Sequence, residues 1–295
     1  MTDKRDEAIQ LYDRYTHEHL DRRRLLREMT ALAGSAAAAE ALILGIGASE
    51  ATAEVIPAND PRLQTARSTQ EVAGKPLITY AARPRDPKMV RGAVLVIHEN
   101  RGLNAHIEDV TRRLGLEGFV AVAPDFLSVQ GGTPNDPDKA RAMIERADYD
   151  LLLSQAVGAL GGATGLASTL KGDAVGFGAV GFCWGGAFVN RLAVAGGQAL
   201  DAGVSYYGPA PAPTEAAKVR AAMMIHLAGN DARVNATAQP WVEALKAAGK
   251  RVEAHIYPGV EHAFNNDTSA ERYNKEAADL AWKRTTAFLR RELDG

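Results

Sequence analysis

Apolar and polar positions divide the chain into stretches with different periods. From Met1 to about Arg24 the sequence is dense in charge, and Ile9, Leu11, Tyr12 and Leu20 are spaced as on one face of an amphipathic helix. A basic cluster follows, Arg22-Arg23-Arg24-Leu25-Leu26-Arg27, and then an alanine-rich stretch from Ala31 to Ala53. Ile56-Pro57-Ala58-Asn59-Asp60-Pro61 reads as a linker, because proline breaks regular hydrogen bonding and Asn-Asp favours turns. Beyond it, short apolar runs alternate with helical periods. Gly92 to His98, Phe119 to Ala123, Asp173 to Phe182, Ala202 to Tyr207, Ala221 to Leu227 and Val252 to Tyr257 read as strands. Ile107 to Leu116, one long pattern from Asp138 to Leu160, Trp184 to Val194, Ala236 to Ala248 and Ala270 to Leu293 read as helices. Such alternation predicts an α/β fold with a mostly parallel sheet covered by helices on both faces. The expected organisation is a helical extension over residues 1–58 and one α/β domain over residues 59–295.

Composition narrows the choice of class. Of 295 residues, 46% are apolar and 24% charged, which suits a soluble globular protein with a large core. A net charge of -2 gives no electrostatic case for nucleic acid. The chain has one cysteine, so an internal disulfide is impossible. No uninterrupted apolar run reaches the ~20 residues of a membrane span, so stable membrane insertion is not expected. The twin arginines, the apolar stretch and Ala51-Thr52-Ala53 resemble a twin-arginine export signal, which would place the protein in the periplasm. Against that, Glu40 and Glu50 interrupt the apolar region and the leading segment is long. The other reading is a helical extension of a cytoplasmic protein, packed on the domain or on a second copy in a homo-oligomer. Both stand at this level. His17 and His19 lie in this segment and read as solvated, and His106 as part of a helix start. His226 and His255 lie inside strands and read as packed sheet residues.

The single cysteine sits in Gly181-Phe182-Cys183-Trp184-Gly185-Gly186, where a strand gives way to a helix. This is the G-x-nucleophile-x-G elbow with sulfur in place of oxygen. The turn is so tight that side chains two before and two after the nucleophile would collide, hence glycine at both. It raises the sulfur above the sheet edge at a helix N-terminus, whose dipole favours thiolate. A buried structural cysteine is the bland alternative, and the elbow context argues against it. Further along, Asp231 lies just past the end of the strand ending at Leu227, and His262 in the loop after Val252 to Tyr257. Nucleophile, acid and histidine thus follow in the order of this fold, each at the carboxyl edge where ligands collect. Asp231 could instead cap the next helix, a task for which Asn235 reads as better placed. His262 could be a plain surface-loop histidine.

These residues resemble the dienelactone hydrolase family, the carboxymethylenebutenolidases, over roughly Ile78 to Leu293. The resemblance rests on G-F-C-W-G-G at Cys183, A-G-N-D at Asp231, G-V-E-H-A-F at His262 and V-I-H-E-N-R-G-L-N from Val96 to Asn104. Ala123-Pro124-Asp125-Phe126 and Tyr206-Tyr207-Gly208 extend it. It implies an α/β-hydrolase fold and hydrolysis of an ester or lactone without metal or cofactor. It also implies that Glu99 contacts the resting cysteine and helps move its proton, and that the N–H groups of Asn100 and Trp184 form the oxyanion hole. Arg101, Tyr207 and Phe264 are candidate substrate contacts, with Arg101 or Arg272 the arginines that could hold a substrate carboxylate. One departure matters. The family's two carboxylate-binding arginines are matched here by Val129 and Asn266, and neither can make a charge-assisted bond to a carboxylate. A neutral ester or lactone therefore fits as well as a dienelactone. A non-catalytic protein that binds a small ligand or partner in the same pocket is the competing class, marked by alkylation of Cys183 without ester turnover. A redox role for Cys183 would lack a resolving cysteine.

Overall fold

The computed structural model describes residues 4–18, 20–47 and 55–294. Its centre is an eight-stranded sheet. In chain order the strands are β1 (Leu63–Val72), β2 (Lys75–Pro84), β3 (Gly92–Ile97), β4 (Phe119–Asp125), β5 (Phe177–Phe182), β6 (Ala202–Tyr206), β7 (Ala222–Ala228) and β8 (Val252–Tyr257). Their spatial order is β1-β2-β4-β3-β5-β6-β7-β8. The last six form a parallel array, and β1 and β2 are antiparallel additions at one edge. The β1–β2 hairpin was not legible in the apolar pattern, because β1 is exposed along most of its length and does not alternate. Its turn is made by Ala73 and Gly74, both at positive φ, which matches the twist of the paired strands.

The parallel strands bury both faces. All six residues of β3 are buried, with Val94 and Val96 in the core on one side and Leu95 and Ile97 in the core on the other. Helices α4 (Ala105–Leu116) and α9 (Lys275–Leu293) cover the first face. Helices α6 (Tyr149–Lys171), α7 (Trp184–Ala195) and α8 (Ala232–Ala247) cover the second. The long helix expected from Asp138 to Leu160 is two: α5 (Pro137–Glu145) and α6. Asp148 separates them, because its side chain accepts from the N–H groups of Asp150 and Leu151 and so starts a new helix. Helix α6 has the length and hydropathy of a membrane span, yet it lies on the sheet, with Leu152, Ala156 and Leu160 in the second core. The closing helix begins at Lys275, not Ala270, where Asn274 accepts from Ala277 N–H and caps it.

Before the sheet lie three helices, α1 (Lys4–His17), α2 (Arg22–Ala33) and α3 (Ala36–Ile46). Asp21 and Ser35 cap the second and third by accepting from Arg24 and Ala38 N–H. The helical stretch expected up to Arg24 therefore ends at His17, and the twin arginines open α2. These helices share a small core of their own around Ile9, Leu11, Leu25, Met29 and Ile46. Arg5, Asp13 and Arg22 tie them to Glu271, Arg272 and Asp138 of the α/β domain.

Candidate active site

Cys183 joins β5 to α7 with φ 55° and ψ −114°. A cysteine pays about 1–3 kcal/mol in such a region, so the surroundings must enforce it. They do so through close backbone contact. A Cβ built on Gly181 would lie 2.1 Å from the carbonyl oxygen of Gly185, and one on Gly185 would lie 2.4 Å from that of Ile97. Cys183 N–H donates to Tyr206 O at 3.0 Å, and its carbonyl accepts from Ala187 N–H at 3.0 Å. The elbow expected from the glycine spacing is therefore present in the backbone itself.

Asp231 follows β7 and His262 lies in the loop after β8, so both reach the sheet's carboxyl edge beside Cys183. Nδ1 of His262 is 2.5 Å from Oδ2 of Asp231. The other carboxylate oxygen accepts from Val234 N–H at 3.0 Å. Asp231 thus caps α8 after all, and Asn235 turns away to donate to Ala228 O at 2.8 Å. Burial alone would raise the Asp231 carboxyl. The charge and hydrogen bond of His262 and the Val234 N–H outweigh it and hold Asp231 at about 2. Burial alone would lower His262, but its interactions with Cys183, and then with Asp231, raise it to about 10. The ring nitrogen left free by Asp231, Nε2, is buried without a hydrogen-bond partner.

The sulfur's hydrogen-bond partner is a residue the sequence pattern did not assign. Nε2 of His17, at the end of α1, lies 3.3 Å from Sγ of Cys183. The rings of His17 and His262 stand edge to face, 5.0 Å between centroids. His17 was expected to be solvated. Instead α1 docks against the carboxyl edge and carries the ring inward, where burial and the neighbouring charge of His262 hold it well below the usual histidine range. His19 lies outside the described residues. A lone histidine in a charge-rich helix carries no signal in sequence that separates these outcomes.

Between these groups is a cavity of about 30 Å³, lined among others by Tyr12, Thr16, His17, Glu99, Asn100, Arg101, Cys183, His262, Asn266 and Arg272. Glu99 accepts from Asn266 Nδ2 at 3.0 Å. Asn100 follows β3 and its side chain donates to Thr16 O at 3.5 Å, while Trp184 is the first residue of α7. The indole of Trp184 stacks on His98 at 5.5 Å. His98 in turn accepts from Phe126 N–H through Nε2 and bonds the Glu99 carbonyl through Nδ1, which joins the ends of β3 and β4 under the site. Arg101 donates to the Tyr12 hydroxyl at 2.7 Å, and Arg272 to Asp13 at 2.6 Å. Tyr207 and Phe264 are fully buried; the Tyr207 ring packs 5.0 Å from His262 and 5.6 Å from Phe264, so they support the histidine from behind. Val129 is exposed, and Asn266 lies in the cavity wall. His106 joins α4 to Asp267, and His226 bonds Tyr257 and Thr285 within the core.

A mostly parallel sheet with a strained elbow between β5 and α7, and with an acid and a histidine on loops at its carboxyl edge, defines an α/β-hydrolase. The sequence model of the dienelactone hydrolase family matches residues 77–293, and the chain belongs to that family. It is a hydrolase acting on lactone or ester bonds. The "Putative carboxymethylenebutenolidase" of Saccharolobus solfataricus is 31% identical over 258 residues, covering 74% of this chain and 95% of that protein. A solved structure from Klebsiella pneumoniae, described as a "Putative Dienelactone Hydrolase", superposes with a TM-score of 0.65 at 28% identity, over 76% of this chain and 97% of that one. The dienelactone hydrolase of Anabaena variabilis shares the fold, with a TM-score of 0.60 at 19% identity over 79% of this chain and 99% of that one. The family match begins at residue 77, so α1 to α3 lie outside it.

Proposed function

We propose that this hydrolase works through Cys183 as nucleophile, His262 as general acid and base, and Asp231 as the group that orients and charges the imidazole. The observation that carries the reading is the short Asp231–His262 bond beside a sulfur held in a strained turn. With Nδ1–H committed to Asp231, Nε2 is the nitrogen available to exchange a proton with Sγ. The proton moves from sulfur to His262, and the thiolate attacks the carbonyl carbon. The N–H groups of Asn100 and Trp184 receive the oxyanion, a contribution typically worth ~3–4 kcal/mol per donor. His262 then protonates the leaving alkoxide, giving a thioester on Cys183. It next takes a proton from water, and the hydroxide so formed releases the acid and restores the thiol. Glu99, in the same cavity, guides the first proton transfer. Residues 1–58 act as a separate helical unit on the catalytic domain of residues 59–295.

The substrate is a small ester or lactone. A second reading, that it bears a carboxylate, is favoured by one contact: Asp13 places its carboxylate on Arg272 in the cavity wall, as an acidic substrate would. The test is a panel of matched neutral and anionic esters and lactones, assayed before and after stoichiometric alkylation of Cys183 with iodoacetamide. Turnover that stops on alkylation supports the mechanism, and turnover that survives contradicts it. A preference for the anionic member of each pair selects the second reading.

A further inference from the structure

Three donor groups meet in the site, and one of them comes from outside the family domain. One ring nitrogen each of His17 and His262 and the sulfur of Cys183 all lie within 4.8 Å of one another. We infer that His17, Cys183 and His262 form a site for one thiophilic divalent cation of the zinc class, which locks α1 over the sulfur and holds the enzyme inactive. The inference concerns regulation of the site proposed above and rests on that reading for its inhibitory consequence alone.

The arrangement has the features such a site needs. A tetrahedral zinc ion with Zn–N at ~2.0 Å and Zn–S at ~2.3 Å sets its nitrogen and sulfur ligands about 3.5 Å apart. The His17–Cys183 separation is 3.3 Å. Metal-bound histidines almost always engage an acceptor through the other ring nitrogen, which fixes the tautomer and aims the lone pair. Both rings do so here: Nδ1 of His262 on Asp231, and Nδ1 of His17 at 3.1 Å from the Asp13 carbonyl. Nε2 of His262 is buried and otherwise unpartnered. The cavity of about 30 Å³ suits an ion with a bound water as fourth ligand, and not an ester. Charge also fits. The thiolate and the Glu99 carboxylate offset a divalent ion, while in the same wall Arg272 is paired with Asp13 and Arg101 donates to the Tyr12 hydroxyl.

The experiment uses the full chain freed of metal by a chelator and titrated with cobalt(II), then with zinc(II) in competition. The expected result is a near-ultraviolet thiolate-to-cobalt band that saturates at one equivalent and is displaced by zinc. His17→Ala and His17→Gln should each weaken zinc binding by about a hundredfold or more, since losing even an outer partner of a ligand costs ~10–100-fold. The zinc concentration that stops ester turnover should rise by the same factor. No band at equimolar cobalt, or binding and inhibition of equal strength in both His17 variants, would overturn the cation site. Turnover is read in the metal-free samples as well. Turnover without metal binding removes the cation site and leaves the hydrolase mechanism, whereas metal binding without turnover does the reverse.

Discussion

Asp231 holds His262 with one carboxylate oxygen and the first turn of α8 with the other, at 2.5 Å to Nδ1 and 3.0 Å to Val234 N–H. The acid is thereby fixed in place by the same helix it caps. Asp231→Asn separates the two tasks. Asparagine caps helices about as well as aspartate, so the start of α8 should persist, while loss of the ionic bond to His262 should lower stability in urea by about 2 kcal/mol at neutral pH. The amide cannot hold the required tautomer or stabilise the imidazolium, so kcat should fall by about 10²- to 10⁴-fold. A variant with normal kcat would contradict the assignment.

Much of this site is legible in the sequence because short-range backbone sterics write it there. Gly181 is demanded by contact with Gly185 in its own turn and Gly185 by the end of β3, and the loops bearing Asp231 and His262 are placed by the parallel sheet. Helix ends and the break between α5 and α6 were less legible, since a capping aspartate such as Asp148 competes with a continuous apolar period. The role of His17 was not legible at all. It depends on how α1 docks, a long-range packing outcome fixed by Arg272 on Asp13 and Arg101 on Tyr12.

That docking has a kinetic consequence. Sites for small organic ligands typically enclose ~300–1,000 Å³, and the cavity beside Cys183 is about 30 Å³. A substrate of ordinary size is therefore expected to reach the sulfur only when α1 moves. Asp13→Asn weakens the ion pair with the buried Arg272, and each ~1.4 kcal/mol lost raises the open population tenfold. Alkylation of Cys183 by iodoacetamide should accelerate by about tenfold in this variant. An unchanged rate would mean that the Asp13–Arg272 pair does not hold the site closed.

Acid stability should depend on Asp267. Burial alone would raise its carboxyl, but the nearby His106, 3.2 Å away, and the charge and hydrogen bond of Arg113 bring it down to about 2. A depressed carboxylate stabilises the fold above its unfolded value and loses that contribution as pH falls through the folded one. The effect is about 2 kcal/mol at neutral pH. Urea unfolding of wild type and Asp267→Asn should differ by roughly that amount at pH 7 and converge as pH is lowered from about 4 toward 2. A gap independent of pH would contradict the assignment.

The central claim is that the Cys183 sulfur forms the bond to substrate. Its most direct test is the steady-state turnover of one activated ester by Cys183→Ala beside wild type, with folding of both verified by circular dichroism. The account predicts a loss of at least about a thousandfold. Turnover within tenfold of wild type in a folded Cys183→Ala protein would contradict it.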